Sequence, residues 1–432
     1  MKIFLDCTHT AKHTYKNTGI HRVVRELETE LLNITSSNND IEVVAVMFEG
    51  NAMRRVNNLY QQDSGNNLVN NRYPLIVVKV IRKSKFIFSK IVNKLTSLFS
   101  GISLEWLSLS FDSNNKPINF ENYQVMKGDI YVIADANWDL PLSYYNFLQR
   151  LRRQGVVITT ICYDLIPIKF PEFVPKTFAD VFMAFYRDYS NLFDKVLCIS
   201  QNTVEDYKNA QREGILDNSN PNLIVTKFKL GCDYSNYESL SKVEEESFDK
   251  DRELLLSKRY ILVVGSLSPH KNIKAIVEAF DLLVKSGQED VYLLFAGNRG
   301  WHRETDMLIE SNKMYGKLVH TLGSVTDSEL KILYQKCYCL VQASFYEGFG
   351  LPVVEALQCN KPVIASNGGS LPEVGEGFCL YFDPTQSEQL YQALKKLTDS
   401  DVYYNQLVDN IKNNYRPFSW KDSAEQFLAN LL

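Results

Sequence analysis

The sequence predicts an α/β protein made of two doubly wound domains that face each other across a cleft. Three observations predict it. The chain has 432 residues, 45% of them hydrophobic, which is more than one compact core holds and enough for two. Short, near-continuous runs of Val, Ile and Leu recur in both halves, as in strands covered on both faces. Longer stretches of helical period separate these runs, so strand, helix and strand alternate along the chain.

In order, the first half offers strands at KIFL, EVVAVMF, DIYVIA, VVITTIC, KVLCIS and LIVTKFK. The second half offers YILVVG, VYLLFAG, LVHTLG, CYCLVQ, KPVIAS and FCLYF. Helical stretches such as IHRVVRELETELL and NIKAIVEAFDLLVKSG connect them. The charged, aperiodic stretch at residues 237–259 should divide the domains, placing one over 1–240 and the other over 255–415. Residues 416–432 read as a terminal helix with Ser419 as its cap.

Bulk properties exclude several classes. A net charge of -4 argues against a polyanion binder, so no nucleic-acid partner is expected. The eight cysteines are scattered without the paired spacing of a zinc site, as buried, reduced thiols of a cytoplasmic protein would be. Met1 leads straight into a strand, so no leader peptide is expected. No apolar run approaches the roughly 18 residues that span a bilayer.

In open parallel sheets, ligands bind at the carboxyl ends of strands. After the strand CYCLVQ comes SFYEGFGLPVVEAL, residues 344–357. Gly348 and Gly350 allow a tight turn and close backbone approach. Pro352 fits the first turn of a helix, where its missing N–H costs nothing. The free N–H groups of that turn suit a diphosphate. Glu347 and Glu355 flank the turn. Acids so placed make sense as acceptors for hydroxyls at either end of the anion, the layout of a nucleotide sugar.

EGFGLPVVEAL followed by CNKPVIASNGGSLPEV resembles the signature of retaining glycosyltransferases of family 4, which have the two-Rossmann GT-B fold. YILVVGSLSPHKNI, AGNRGW, LGSVTDSELKILYQKC and FDPTQSEQL match further segments in order. TGIHRVVREL, DANWDLP and CYDLIPIKFPEF resemble a subgroup containing many bacterial polysaccharide mannosyltransferases. The resemblance implies that Glu347 contacts the donor sugar and Glu355 the ribose diol. It implies that the backbone of Phe349, Gly350 and Leu351 meets sugar and phosphate, and that Lys271 pairs with the diphosphate. Ser324 and Val325 would border the base, and Gly19 would let the N-terminal domain approach the phosphates. The last helix would cross back to that domain. The nucleotide sugar is substrate, GDP-mannose by subgroup, with UDP- and dTDP-sugars open, and no cofactor or metal is called for. The acceptor would be a glycan, free or lipid-linked.

The chain departs from its relatives in places. Ser266 stands where many carry a phosphate-binding Arg, so a second cation must come from elsewhere, with Arg299 the candidate. Asn360 replaces a turn glycine and tolerates a left-handed backbone. Tyr163-Asp164 stands where many have His-Asp. Asp164 and Asp135 lie at strand ends facing the expected cleft, and either is a candidate to orient the acceptor hydroxyl or take its proton. Each also reads as a loop acid capping a turn. His21 and Arg22, opening the helix after Gly19, are acceptor-side candidates. No His/Asp metal cluster is expected in the cleft loops. Residues 75–106 carry Lys79, Arg82, Lys83, Lys85, Lys90 and Lys94 among large apolar side chains, a pattern that suits either an anionic membrane surface or the basic outer face of an ordinary helix pair.

Overall fold

A computed structural model describes residues 1–13, 19–36, 40–57, 59, 125–217, 220–232, 250–300 and 303–432. The basic stretch at 75–106 and most of the expected boundary at 237–259 lie outside these residues.

The first sheet contains β1 (Lys2–Asp6), β2 (Glu42–Glu49), β3 (Ala52–Arg55), β4 (Ile130–Ile133), β5 (Val157–Cys162), β6 (Lys195–Cys198) and β7 (Ile224–Lys227), ordered β3-β2-β1-β4-β5-β6-β7. Only β3 runs antiparallel to its neighbour. The second sheet contains β8 (Arg259–Val264), β9 (Val291–Ala296), β10 (Val319–Gly323), β11 (Cys339–Gln342), β12 (Val363–Ser366) and β13 (Cys379–Phe382), ordered β10-β9-β8-β11-β12-β13, all parallel. Every expected strand is present. β3 was not expected: its residues AMRR carry no apolar run, and two of its four side chains are exposed. It forms because Gly50, at φ 67°, turns the chain back on β2 as a hairpin.

The continuous apolar runs have a direct cause. On β8, Ile261 and Val263 pack into one core, while Tyr260, Leu262 and Val264 pack into another on the opposite face. Alternate side chains of a strand point to opposite faces, so a doubly covered strand must be apolar throughout.

The Trp420–Leu431 helix starts at a capping box in which Ser419 Oγ accepts the N–H of Asp422 at 3.0 Å. Its Trp420, Ala424, Phe427 and Leu431 pack into the core of the first sheet, although the chain reaches it from the second. Lys195 Nζ adds a hydrogen bond of 2.6 Å to the terminal carbonyl of Leu431. All eight cysteines are free thiols.

In each sheet the strand order reverses between two neighbours, β1/β4 and β8/β11. Loops leaving such neighbours diverge to opposite faces and open a crevice at the carboxyl ends.

Candidate active site

The loop after β11 and the helix Leu351–Gln358 form one wall of the site. Gly350 caps this helix at φ 107°, a backbone a side chain would strain. Ser370 Oγ donates to the carbonyls of Glu347 and Phe349, each at 2.9 Å, and so fixes the loop from behind. Asn360 ends the turn after the helix at φ 59°, the left-handed conformation expected of it.

Glu347 is buried. It accepts from Lys271 Nζ at 2.6 Å, from Gln342 Nε2 at 2.7 Å and from Ser344 Oγ at 2.5 Å. Burial pushes its carboxyl up, but Lys271 and these donors outweigh burial and hold it below the usual carboxylate range. Lys271 lies at the end of the loop after β8 and is itself mostly buried, with 15% of its side chain exposed. Gly265, Ser266, Lys271 and Ser344 line one recess. Burial, reinforced by Lys271, depresses His270 to about 4, so it is neutral near pH 7.

The opposite wall comes from the first sheet. Gly348 lies so close that an added Cβ would strike the carbonyl of Tyr163 and come within 2.8 Å of Asp164 Cβ. Asp164 accepts the N–H of Ile166 at 3.0 Å. Its carboxyl is pushed up to about 6, chiefly by desolvation, with Glu347 and Asp206 adding repulsion. Asp164 thus lies against Gly348, the residue after Glu347. Asp135 does not join this wall. It accepts the N–H groups of Thr10 and Ala136 and lies beside His9 and His21.

One correction follows. A His/Asp cluster does exist: ligand atoms of His9, His21 and Asp135 all lie within 4.8 Å of one another, and His9 Nδ1 is 3.4 Å from His21 Nε2. That spacing suits a metal ion as well as a shared proton. His9 and His21 are twelve residues apart in sequence, so no local spacing announces the group. Arg299, the candidate second cation, is 70% exposed and engaged with Glu310 at 2.9 Å and Asp306 at 3.9 Å. Arg22, an acceptor-side candidate, is a cation that the tertiary structure brings to the helix: its guanidinium pairs with Glu355. Glu355 is 2% exposed, and this partner comes from the first sheet's domain. A Cβ added at Gly19 would lie 3.8 Å from Leu351 Cδ1, an ordinary contact between the two domains. Ser324 is exposed and donates to Asn298, and Val325 packs against the core beside it.

Sequence reasoning missed the ties between the walls. Tyr346 Oη receives hydrogen bonds from Lys169 at 2.9 Å and Asn202 at 2.5 Å and donates to Asp206. Glu373 accepts the first N–H groups of the Gln201–Arg212 helix at 2.8 and 3.2 Å, and Lys227 at 2.9 Å. A carboxylate at a helix N-terminus is favourable. Phe173 stacks on Phe345 at 5.6 Å. Such pairs join residues 140 to 177 positions apart, and no periodicity reports them.

The chain is similar to known glycosyltransferases in sequence and in fold. Residues 244–414 match the family described as glycosyl transferases group 1. The chain is 28% identical over 302 residues to O-antigen chain mannosyltransferase B of Escherichia coli, covering 68% of this chain and 72% of that one. It is 26% identical over 442 residues to the serotype-specific mannosyltransferase WbdA of Escherichia coli, covering 100% of this chain but 46% of that one. It thus spans less than half the length of WbdA. Among solved structures, Anabaena HepE in complex with UDP and glucose superposes with a TM-score of 0.60 over 100% of this chain and 99% of that one, at 14% identity. The chain is a GT-B protein that carries a glycosyl transferases group 1 domain.

Proposed function

We propose that the protein transfers a mannosyl group, with retention, from GDP-mannose to a hydroxyl of a growing bacterial surface polysaccharide. The observation that carries this reading is the Lys271–Glu347 pair set against the N-terminus of the Leu351–Gln358 helix, with Asp164 on the facing wall. The named relatives are mannosyltransferases of O-antigen chains, which supports the sugar and the class of acceptor.

In this reading the diphosphate lies between Lys271 and the first N–H groups of the helix, which stabilise its charge as it departs. Glu347 accepts hydrogen bonds from the donor sugar and Glu355 from the ribose. The acceptor oxygen attacks the anomeric carbon from the face the diphosphate leaves, and a departing phosphate oxygen takes the acceptor's proton. Asp164 orients that hydroxyl. Protein cations and helix N–H groups serve where a metal would otherwise act, and no cofactor takes part.

The test is thermal stabilisation across GDP-, UDP- and dTDP-sugars, followed by sugar release and transfer. Stabilisation by GDP-mannose and transfer of mannose support the proposal. Stabilisation by UDP- or dTDP-sugars alone moves the donor assignment, and no response to any nucleotide sugar removes the proposal.

Among the described residues no helix is long and apolar enough to cross a membrane. We place the enzyme at the inner face of the cytoplasmic membrane, docked through its 75–106 segment near a lipid-linked acceptor. The six basic side chains there support this. Co-sedimentation with anionic vesicles that survives their neutralisation would overturn it.

A further inference from the structure

Glu355 is almost fully buried, and a buried carboxylate needs a partner. That partner, Arg22, belongs to the first turn of the Gly19–Thr35 helix on the other sheet, and its side chain is 14% exposed. If Glu355 receives the ribose, Arg22 occupies the ribose position in the unliganded protein.

The phosphate position has a complementary need. Its loop offers Ser266 in place of a charge, a neutral His270, and Lys271 already bound to Glu347. Arg299 is held by Glu310 and Asp306. A diphosphate brings more negative charge than one ammonium balances. Arg22 lies within reach of that position. It already pairs with Glu355 on the helix that Leu351 opens, and a Cβ at Gly19, three residues before Arg22, would lie in ordinary contact with Leu351 Cδ1 at 3.8 Å. Four residues of helix separate Leu351 from Glu355, about 6 Å along the axis.

Building on the donor reading above, we propose that Arg22 is an exchangeable clamp that supplies the second diphosphate cation. In the unliganded protein it neutralises Glu355. When a nucleoside diphosphate enters, the ribose hydroxyls take over Glu355 and the guanidinium swings along the helix onto the diphosphate. Every buried charge keeps a partner throughout, which avoids the cost of a stranded ion. A guanidinium suits the role because its forked donors match carboxylate and phosphate alike. The exchange also makes the site selective: a nucleoside monophosphate must break the Arg22–Glu355 pair without offering Arg22 the full diphosphate in return.

The experiment measures affinity for GDP and GMP, and for UDP and UMP, in the wild-type protein, in Arg22→Gln, in Glu355→Gln and in the double variant. Arg22→Gln is expected to weaken the diphosphate by about 10- to 100-fold, the loss of one charge-assisted hydrogen-bonding group, while the monophosphate is unchanged or tighter. The penalty persists in the Glu355→Gln background. Equal weakening of diphosphate and monophosphate would overturn the proposal. So would a penalty that disappears with Glu355→Gln, because Arg22 would then act only by orienting that acid. Should Arg22→Gln fail to fold, the diphosphate-to-monophosphate ratio of Arg22→Lys decides: a reduced ratio supports the clamp and an unchanged ratio refutes it. A wild-type protein that binds neither diphosphate defeats the donor reading itself and the clamp with it, whereas the other refuting outcomes remove the clamp alone.

Discussion

Removing the Lys271 ammonium should do two separable things. Its Nζ lies 2.6 Å from Glu347 Oε1, and the two side chains are 15% and 12% exposed. Removing one member of a buried ion pair costs about 3–5 kcal/mol, because the other charge is stranded. Here Glu347 keeps Gln342 and Ser344 as donors, which places Lys271→Ala near the lower end, at about 3 kcal/mol. The activity loss has another origin. Lys271 stabilises charge that develops on the departing diphosphate, and loss of one such group lowers kcat by about 10²–10³-fold. The two effects part in the double variant. Adding Glu347→Gln removes the stranded charge, so at least about 1 kcal/mol of stability should return, while turnover stays low. The assays are urea denaturation and mannose transfer on the four proteins of the cycle. Strictly additive stability losses would refute the coupling. Near-normal turnover in Lys271→Ala would refute the electrostatic role.

Other perturbations test the two walls. Gly348→Ala places a methyl group against the Tyr163 carbonyl, so the walls should part; turnover should fall sharply while each sheet's core is retained, and small-angle scattering should show expansion, with an unchanged profile and rate counting against the close approach. Asp164 has a folded-state pKa of about 6, raised above its ordinary 3.8 by burial. A raised carboxyl favours the protonated folded form, so its ionisation costs stability above pH 6 and costs nothing below 3.8. Asp164→Asn should therefore stabilise the protein at pH 8 by about 1–2 kcal/mol, after discount for partial exposure, with the gain fading as pH falls through 6. A gain equal at pH 8 and pH 4 would contradict this. Glu347 has the opposite sign: its depressed carboxyl contributes stability above the ordinary carboxylate range and loses it on acidification.

Much of this was written along the chain, and the part that was not has a common physical character. Most of the twelve runs announced their strands because strands covered on both faces are mostly apolar, whereas β3, an exposed hairpin edge, left no such trace. The Leu351–Gln358 helix, its glycine cap and the flanking Glu347 and Glu355 are contiguous, so local backbone demands made them readable. Ser419 was legible as a cap for the same reason. The pairing of Arg22 with Glu355 was not legible, because a helix's first turn does not say what lies opposite it. The ion pairs of Arg299 were equally hidden, because Asp306 and Glu310 sit on the next helix.

By itself the sequence determined two parallel sheets, the loop that turns at Gly348 and Gly350, and the two acids around it, since each depends on neighbours a few residues away. Tertiary structure alone decided which charge meets which: Lys271 on Glu347, Arg22 on Glu355, His9 beside His21 and Asp135, and Tyr346 among Lys169, Asn202 and Asp206. Pairings between charges depend on distances in space and on burial that strengthens them; the Lys271 and histidine groups need one domain to fold, whereas the Arg22 and Tyr346 groups exist only once the two sheets have packed against each other.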